Sequence, residues 1–85
     1  MTWGLILANQ ASRTIRRAQW DEKDQIKAAL RLLCDDPFSG DVKLLNGANG
    51  TLRRRVGNWR ILYELDPKRR VIVVTAIKRR GSNTY

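Results

Sequence analysis

The stretch from Leu52 to Asp66, LRRRVGNWRILYELD, leaves this chain little freedom of local structure. Gly57-Asn58 is a two-residue turn signal between two runs of strand-forming residues, and glycine supplies the positive φ that a primed hairpin turn requires. The turn sets the register: Val56 opposite Trp59, Arg55 opposite Arg60, Arg54 opposite Ile61 and Arg53 opposite Leu62. Strand side chains alternate between faces, so Leu52, Val56, Trp59, Ile61, Tyr63 and Leu65 share a core side, while Arg53, Arg55, Arg60, Leu62 and Glu64 share the other. Arg55 directly opposite Arg60 costs the fold some tenths of a kcal/mol to about 1 kcal/mol. A solvated outer face is the ordinary destination of a charge run, but it gives no reason for that pair. An anion does, because guanidiniums on one rigid face match phosphate oxygens in charge and fork geometry. Arg54 falls on the apolar side, so either it lies beyond the edge of whatever covers the sheet or this register is off by one.

The chain carries +9 net charge on 85 residues, and the placement of that charge is more informative than its size. Residues 1–41 hold six basic and six acidic side chains, whereas residues 42–85 hold eleven basic and two acidic. One-sided positive charge points to a polyanion: nucleic acid, an anionic membrane or an acidic protein. The length fits a single domain, 1–85, burying only roughly 60–65% of its unfolded surface. Cys34 is the only cysteine, so no intramolecular disulfide is possible and a reducing, cytoplasmic compartment is expected. With no histidine in the chain, Cys-His and Ser-His nucleophile systems and the usual zinc ligand sets are excluded. Trp3–Ala8 is too short for a signal-peptide core, and nothing approaches a membrane span.

Trp3 to Ala8 reads as a first strand, and Asn9 as a cap before an amphipathic helix from Ala11 to about Trp20, with Ala11, Ile15 and Ala18 on one face. Asp21 is expected to cap a second helix in which Ile26, Ala29, Leu30 and Leu33 recur at helical spacing, ending by Asp36 because Pro37 follows. Val42 to Leu45 reads as a connecting piece, Asp66-Pro67-Lys68 as a turn, and Val71 to Ile77 as an interior strand, apolar on both faces. The expected class is α+β, in β-α-α-β-β-β order, with a helical hairpin packed on a mostly antiparallel four-stranded sheet.

Gly40-Asp41-Val42-Lys43-x-Leu45 precedes Arg53-x-Arg55-Val56-Gly57-Asn58-Trp59-Arg60-Ile61-Leu62-Tyr63, and Arg79 stands six residues ahead of Tyr85. Together with the element order, this pattern resembles the RelE/ParE superfamily of bacterial toxins over essentially the full length, most specifically from Arg53 to Tyr63. In the RelE branch the resemblance implies a toxin-antitoxin ribonuclease that cuts mRNA in the decoding site of the ribosome, without cofactor or metal. It also implies an acidic or amphipathic antitoxin that wraps the toxin and blocks it in a hetero-oligomer. The ParE branch has a similar fold, is known for poisoning DNA gyrase, and lacks the cluster of catalytic basic residues. Carried over residue by residue, the two alternating basic positions of the first hairpin strand fall on Arg53 and Arg55. The arginine of the next strand falls on Arg60, the arginine after the last strand on Arg79, and the terminal tyrosine on Tyr85. RelE members often have lysine where this chain has Arg53 and Arg55, and arginine, always protonated, makes a poor general base.

RNA brings its own nucleophile, the 2′-hydroxyl, whose attack on the adjacent phosphorus leaves a 2′,3′-cyclic phosphate and a 5′-hydroxyl. Arg55, Arg60 and Arg79 are expected to hold the phosphate and its growing charge, with Arg53 positioning the neighbouring backbone. Tyr85 can stack on a base or donate a proton through its phenol. Glu64, on the face of Arg60, can neutralise an arginine or accept a proton. The alternative is a protein without catalysis, either a ParE-like gyrase inhibitor or a nucleic-acid-binding module whose basic face only grips phosphates.

Overall fold

The computed structural model describes residues 2–45 and 50–79. Strand β1 (Gly4–Leu7) leads into helices α1 (Asn9–Arg17) and α2 (Trp20–Asp35), followed by strands β2 (Asp41–Leu44), β3 (Leu52–Val56), β4 (Trp59–Asp66) and β5 (Val71–Arg79). The α+β class and the sequence of elements are as expected, with one strand more. The piece after Gly40 is a true edge strand, making a five-stranded sheet in the order β1-β5-β4-β3-β2. Its Val42 and Leu44 pair with Arg54 and Leu52 of β3, so a segment too short to declare itself becomes a strand through its neighbour. Only β1 is parallel, pairing Gly4–Leu7 with Val71–Val74 of β5.

Both helices lie on one face of the sheet. Ala11, Ile26, Ala29, Leu30 and Leu33 meet Leu52, Trp59, Ile61, Tyr63, Ile72, Val74 and Ile77 in one continuous buried cluster. Among the described residues the other face carries no helix. The helix starts differ from expectation: neither Asn9 nor Asp21 caps, and the flanking residues Ala8 and Gln19 make no side-chain cap bond. Asp21 and Glu22 fall instead in the first turn of α2, where negative charge complements the helix dipole. The end of α2 is as the proline predicts, with Asp36 in an extended conformation. Just beyond it, the buried Tyr63 hydroxyl donates to the Pro37 carbonyl at 2.5 Å. Burial is the main reason that its pKa is pushed up to about 12, with Arg54 pulling down and Asp36 pushing up.

Where β1 has ended, the exposed side of β5 is closed by a side chain. The Gln10 carboxamide accepts from Ile77 N–H at 2.9 Å and donates to Ile77 C=O at 3.2 Å, replacing one rung of a missing strand. Beside β1, Leu5, Leu7, Ile15, Leu30 and Cys34 line an apolar groove of about 490 Å³. Burial, and secondarily Asp35, raises the Cys34 thiol pKa, which suits an unreactive packing residue. Among the described residues no helix is long and apolar enough to cross a membrane.

Candidate nucleic-acid interface

The hairpin register is the expected one at every pair. Val56 faces Trp59, Arg55 faces Arg60, Arg54 faces Ile61 and Arg53 faces Leu62, around a turn in which Gly57 has φ 55°. A Cβ at Gly57 would also lie 2.9 Å from the end of the exposed Gln25 side chain, which can move aside, so it is the positive φ that calls for glycine. Arg54 does lie beyond the edge of the helical cover. Its guanidinium bonds the Arg55 carbonyl at 2.8 Å and fills the space beside Gly40, whose φ is 81° and whose Cβ would collide with it.

On the helix-free face, the pairings of four adjacent strands assemble a cross-strand row: Asp41 opposite Arg55, Arg55 opposite Arg60, and Arg60 opposite Lys78. Adjacent strands stand about 4.8 Å apart, so three cations in line place overlapping positive potential over one patch. Lys43, Arg53, Leu62 and Ala76 form the next row along the same face. Arg53 is not the exposed residue that its place in a charge run suggests. It is 5% exposed, the only charged residue among the described ones that is buried, and its Nη2 lies 3.6 Å from Asp41 Oδ1. Among the described residues, Arg53 Nη1 and Arg55 Nε are buried without a hydrogen-bond partner. A buried donor left unmade costs about 1–3 kcal/mol, and the same is true of Arg54 Nε and Trp59 Nε1 on the helix side, so this burial is a cost of packing the arginines into the sheet.

The structure brings Arg53, Arg55 and Arg60 together and separates Arg79 from them. Arg79 pairs with Trp59 on the helix side, stacks 4.5 Å from that ring's centroid and donates to Glu22 Oε2 at 3.2 Å. The cause is a register shift in β5. Leu62 pairs with Ala76 and Tyr63 with Val74, leaving Thr75 as one residue too many. Before the bulge Ile72 and Val74 are buried; after it Ile77 is, so the parity of the strand reverses and Lys78, not Arg79, arrives beside Arg60. Lys78 is thus a residue of the interface that sequence reading missed. A strand apolar on both faces gives no signal of where its alternation breaks. Glu64 stands away from the row, opposite Val73, and accepts from the Thr51 hydroxyl at 3.4 Å. Tyr85 lies outside the described residues.

A family model, the ParE toxin of type II toxin-antitoxin system, parDE, matches residues 5–83. The chain belongs to this toxin family. Among solved structures, the toxin is similar to the archaeal RelE-RelB complex from Pyrococcus horikoshii OT3, with TM-score 0.82, 23% identity, and 95% of this chain and 98% of that one covered. It also resembles the toxin-antitoxin complex RelBE2 from Mycobacterium tuberculosis, with TM-score 0.80, 20% identity and coverage of 94% and 100%. The isolated E. coli RelE toxin matches with TM-score 0.80, 17% identity and coverage of 96% and 88%. No curated protein matches the toxin by sequence. These likenesses establish a RelE/ParE superfamily toxin with the RelE-like fold. At such identities, the chemistry of the toxin has to be argued from its own side chains.

Proposed function

We propose that this toxin is an endoribonuclease that cleaves mRNA, in the decoding site of the ribosome, by attack of a 2′-hydroxyl on the adjacent phosphorus. The observation that carries this reading is the row Arg55-Arg60-Lys78 beside the buried Arg53. Such a row disfavours the isolated fold and gains its purpose from a phosphate. As the 2′-oxygen bonds to phosphorus and the bond to the 5′-oxygen breaks, charge accumulates on the non-bridging oxygens. Fixed guanidiniums stabilise it, and removing one such donor typically costs about 10²–10³ in rate. Nothing in this route requires a metal. Arg53, buried between β2 and β4, holds its neighbours rather than swinging to meet RNA.

Arg79 joins such a site only by releasing Glu22. That ion pair is half exposed, and an exposed pair is worth about 0–1 kcal/mol, less than a transition-state contact worth about 2.7 kcal/mol or more. Arg79 also gives up its stacking on the Trp59 ring, so the exchange is favourable only where the transition-state contact exceeds the ion pair and the stacking together. Tyr85 is proposed as the base-stacking or proton-donating group, and an antitoxin as the partner that covers the arginine face and apolar surface such as Leu5 and Ile6.

Inducing the toxin without its antitoxin and mapping mRNA 5′ ends by primer extension tests the reading. Cuts within translated messages are expected. Intact messages together with accumulating gyrase-DNA breaks would replace it with gyrase inhibition.

A further inference from the structure

Cleavage by a 2′-hydroxyl needs something to take the hydroxyl proton, and the residues matched to the family's basic positions cannot do so, because guanidinium stays protonated. The chain has no histidine. Three carboxylates project from the helix-free face among the described residues: Asp41, Glu64 and Asp66. Asp66 is at the far end of β4, with its carboxylate 3.9 Å from Arg69 and accepting from the Arg69 N–H. Glu64 is four residues along β4 from Arg60, roughly 13 Å at strand rise, and is engaged by Thr51. Asp41 is different. It occupies the end of the cation row, directly opposite Arg55, and its side chain is 61% exposed, open to a substrate lying on that face.

We infer that Asp41 is the proton acceptor of the cleavage step and that buried Arg53 is the residue that positions it. This rests on the ribonuclease reading above. Arg53, 6% exposed at its side chain, reaches Asp41 Oδ1 with Nη2 at 3.6 Å, so the carboxylate is tethered by a group that has little room to move. The charged groups facing Asp41 are Arg55 across the strand pair, Arg53 on the diagonal, and Lys43 two residues along β2 on the same side. A phosphate on Arg55 lies about one strand spacing from Asp41, so an RNA whose 5′-side ribose runs toward β2 brings its 2′-hydroxyl to the carboxylate. The 2′-hydroxyl proton passes to a carboxylate oxygen of Asp41 as the 2′-oxygen bonds to phosphorus. The bond from phosphorus to the 5′-oxygen breaks, that oxygen takes a proton from water, and Asp41 returns its proton to the hydroxide so formed. The products are a 2′,3′-cyclic phosphate and a 5′-hydroxyl, with the enzyme unchanged.

The test is single-turnover cleavage of ribosome-bound mRNA by purified wild-type toxin, D41N and D41E at saturating toxin between pH 4 and 8. Binding is measured in parallel with an mRNA carrying 2′-deoxyribose at the cut site. Wild type is expected to lose rate toward the acid end of that pH range, as general-base catalysis by a carboxylate requires. D41N, an isosteric change, should cleave about 10²-fold more slowly or worse, show no such limb and bind at least as well as wild type; D41E should recover part of the rate and the limb. D41N cleaving at saturation within twofold of wild type, or keeping the acid limb, would overturn the assignment and leave Asp41 as a counter-ion for Arg53. Wild-type toxin that leaves the mRNA uncut would overturn the ribonuclease reading itself, and this inference with it.

Discussion

Thr75 donates its hydroxyl to the carbonyl of Leu62 at 3.2 Å, at the point where β5 carries one residue more than β4. The bond compensates a carbonyl at the irregularity and so holds the bulge that sends Lys78 to one face and Arg79 to the other. Thr75→Val, similar in size, should therefore lower stability by about 1 kcal/mol. It should also weaken RNA binding more than an equally destabilising change elsewhere. Urea unfolding alongside a binding isotherm checks both effects.

The cross-strand row makes a graded prediction. Arg55→Ala and Arg60→Ala should each reduce cleavage by about 10²-fold or more while the fold persists, since each relieves a like-charge contact. Arg16→Ala, on α1, and Arg69→Ala, in the β4–β5 turn, should change cleavage by less than twofold. Equal losses at all four positions would mark the basic surface as a general phosphate grip.

On the proposed mechanism, the Glu22 ion pair competes with the phosphate for Arg79. Arg79→Ala is expected to cost about 10²-fold in cleavage, whereas Glu22→Gln should raise cleavage by up to about fivefold, the equivalent of an exposed ion pair. A drop in cleavage for Glu22→Gln, measured at saturating toxin, would mean that the pair aims Arg79 rather than restraining it.

Tyr63 supplies a pH dependence. Its phenol has a folded-state pKa of about 12, above the unfolded value of about 10. The neutral form is therefore the one the fold prefers. The associated stability is complete below pH 10 and is lost as pH rises through about 12. Tyr63→Phe should abolish this part of the alkaline destabilisation and, by orphaning the Pro37 carbonyl, cost about 1 kcal/mol at neutral pH. Circular dichroism against pH for the two proteins measures the difference.

What could be read beforehand was whatever depends on local rules. Gly57-Asn58 sets the hairpin register, and the hairpin sets which of Arg53, Arg54 and Arg55 faces away from the helices. Pro37 ends α2 for a reason confined to adjacent residues. The unread part depends on partners distant in sequence. β2 is a strand only because β3 pairs with it, and Arg53 is buried although charge runs are normally solvated. The expected caps fail because Asn9 is the first and Asp21 the second residue within its helix, rather than the residue before it. Arg79 is carried to the phosphate by the family resemblance, and nothing in VIVVTAIKR shows where the parity of the strand reverses to put it on the helix side.

The parallel pairing of β1 with β5 also sets a timetable. Gln10 and Ile77, which close one side of the sheet, are 67 residues apart in the chain. At about 5–20 residues per second, translation takes roughly 3–13 s to get from one to the other. Throughout that interval the apolar first strand waits without its partner, and the row of cations lacks the strand that brings Lys78. A chain built this way has neither its closed sheet nor its full row of cations until its own synthesis has reached the last strand.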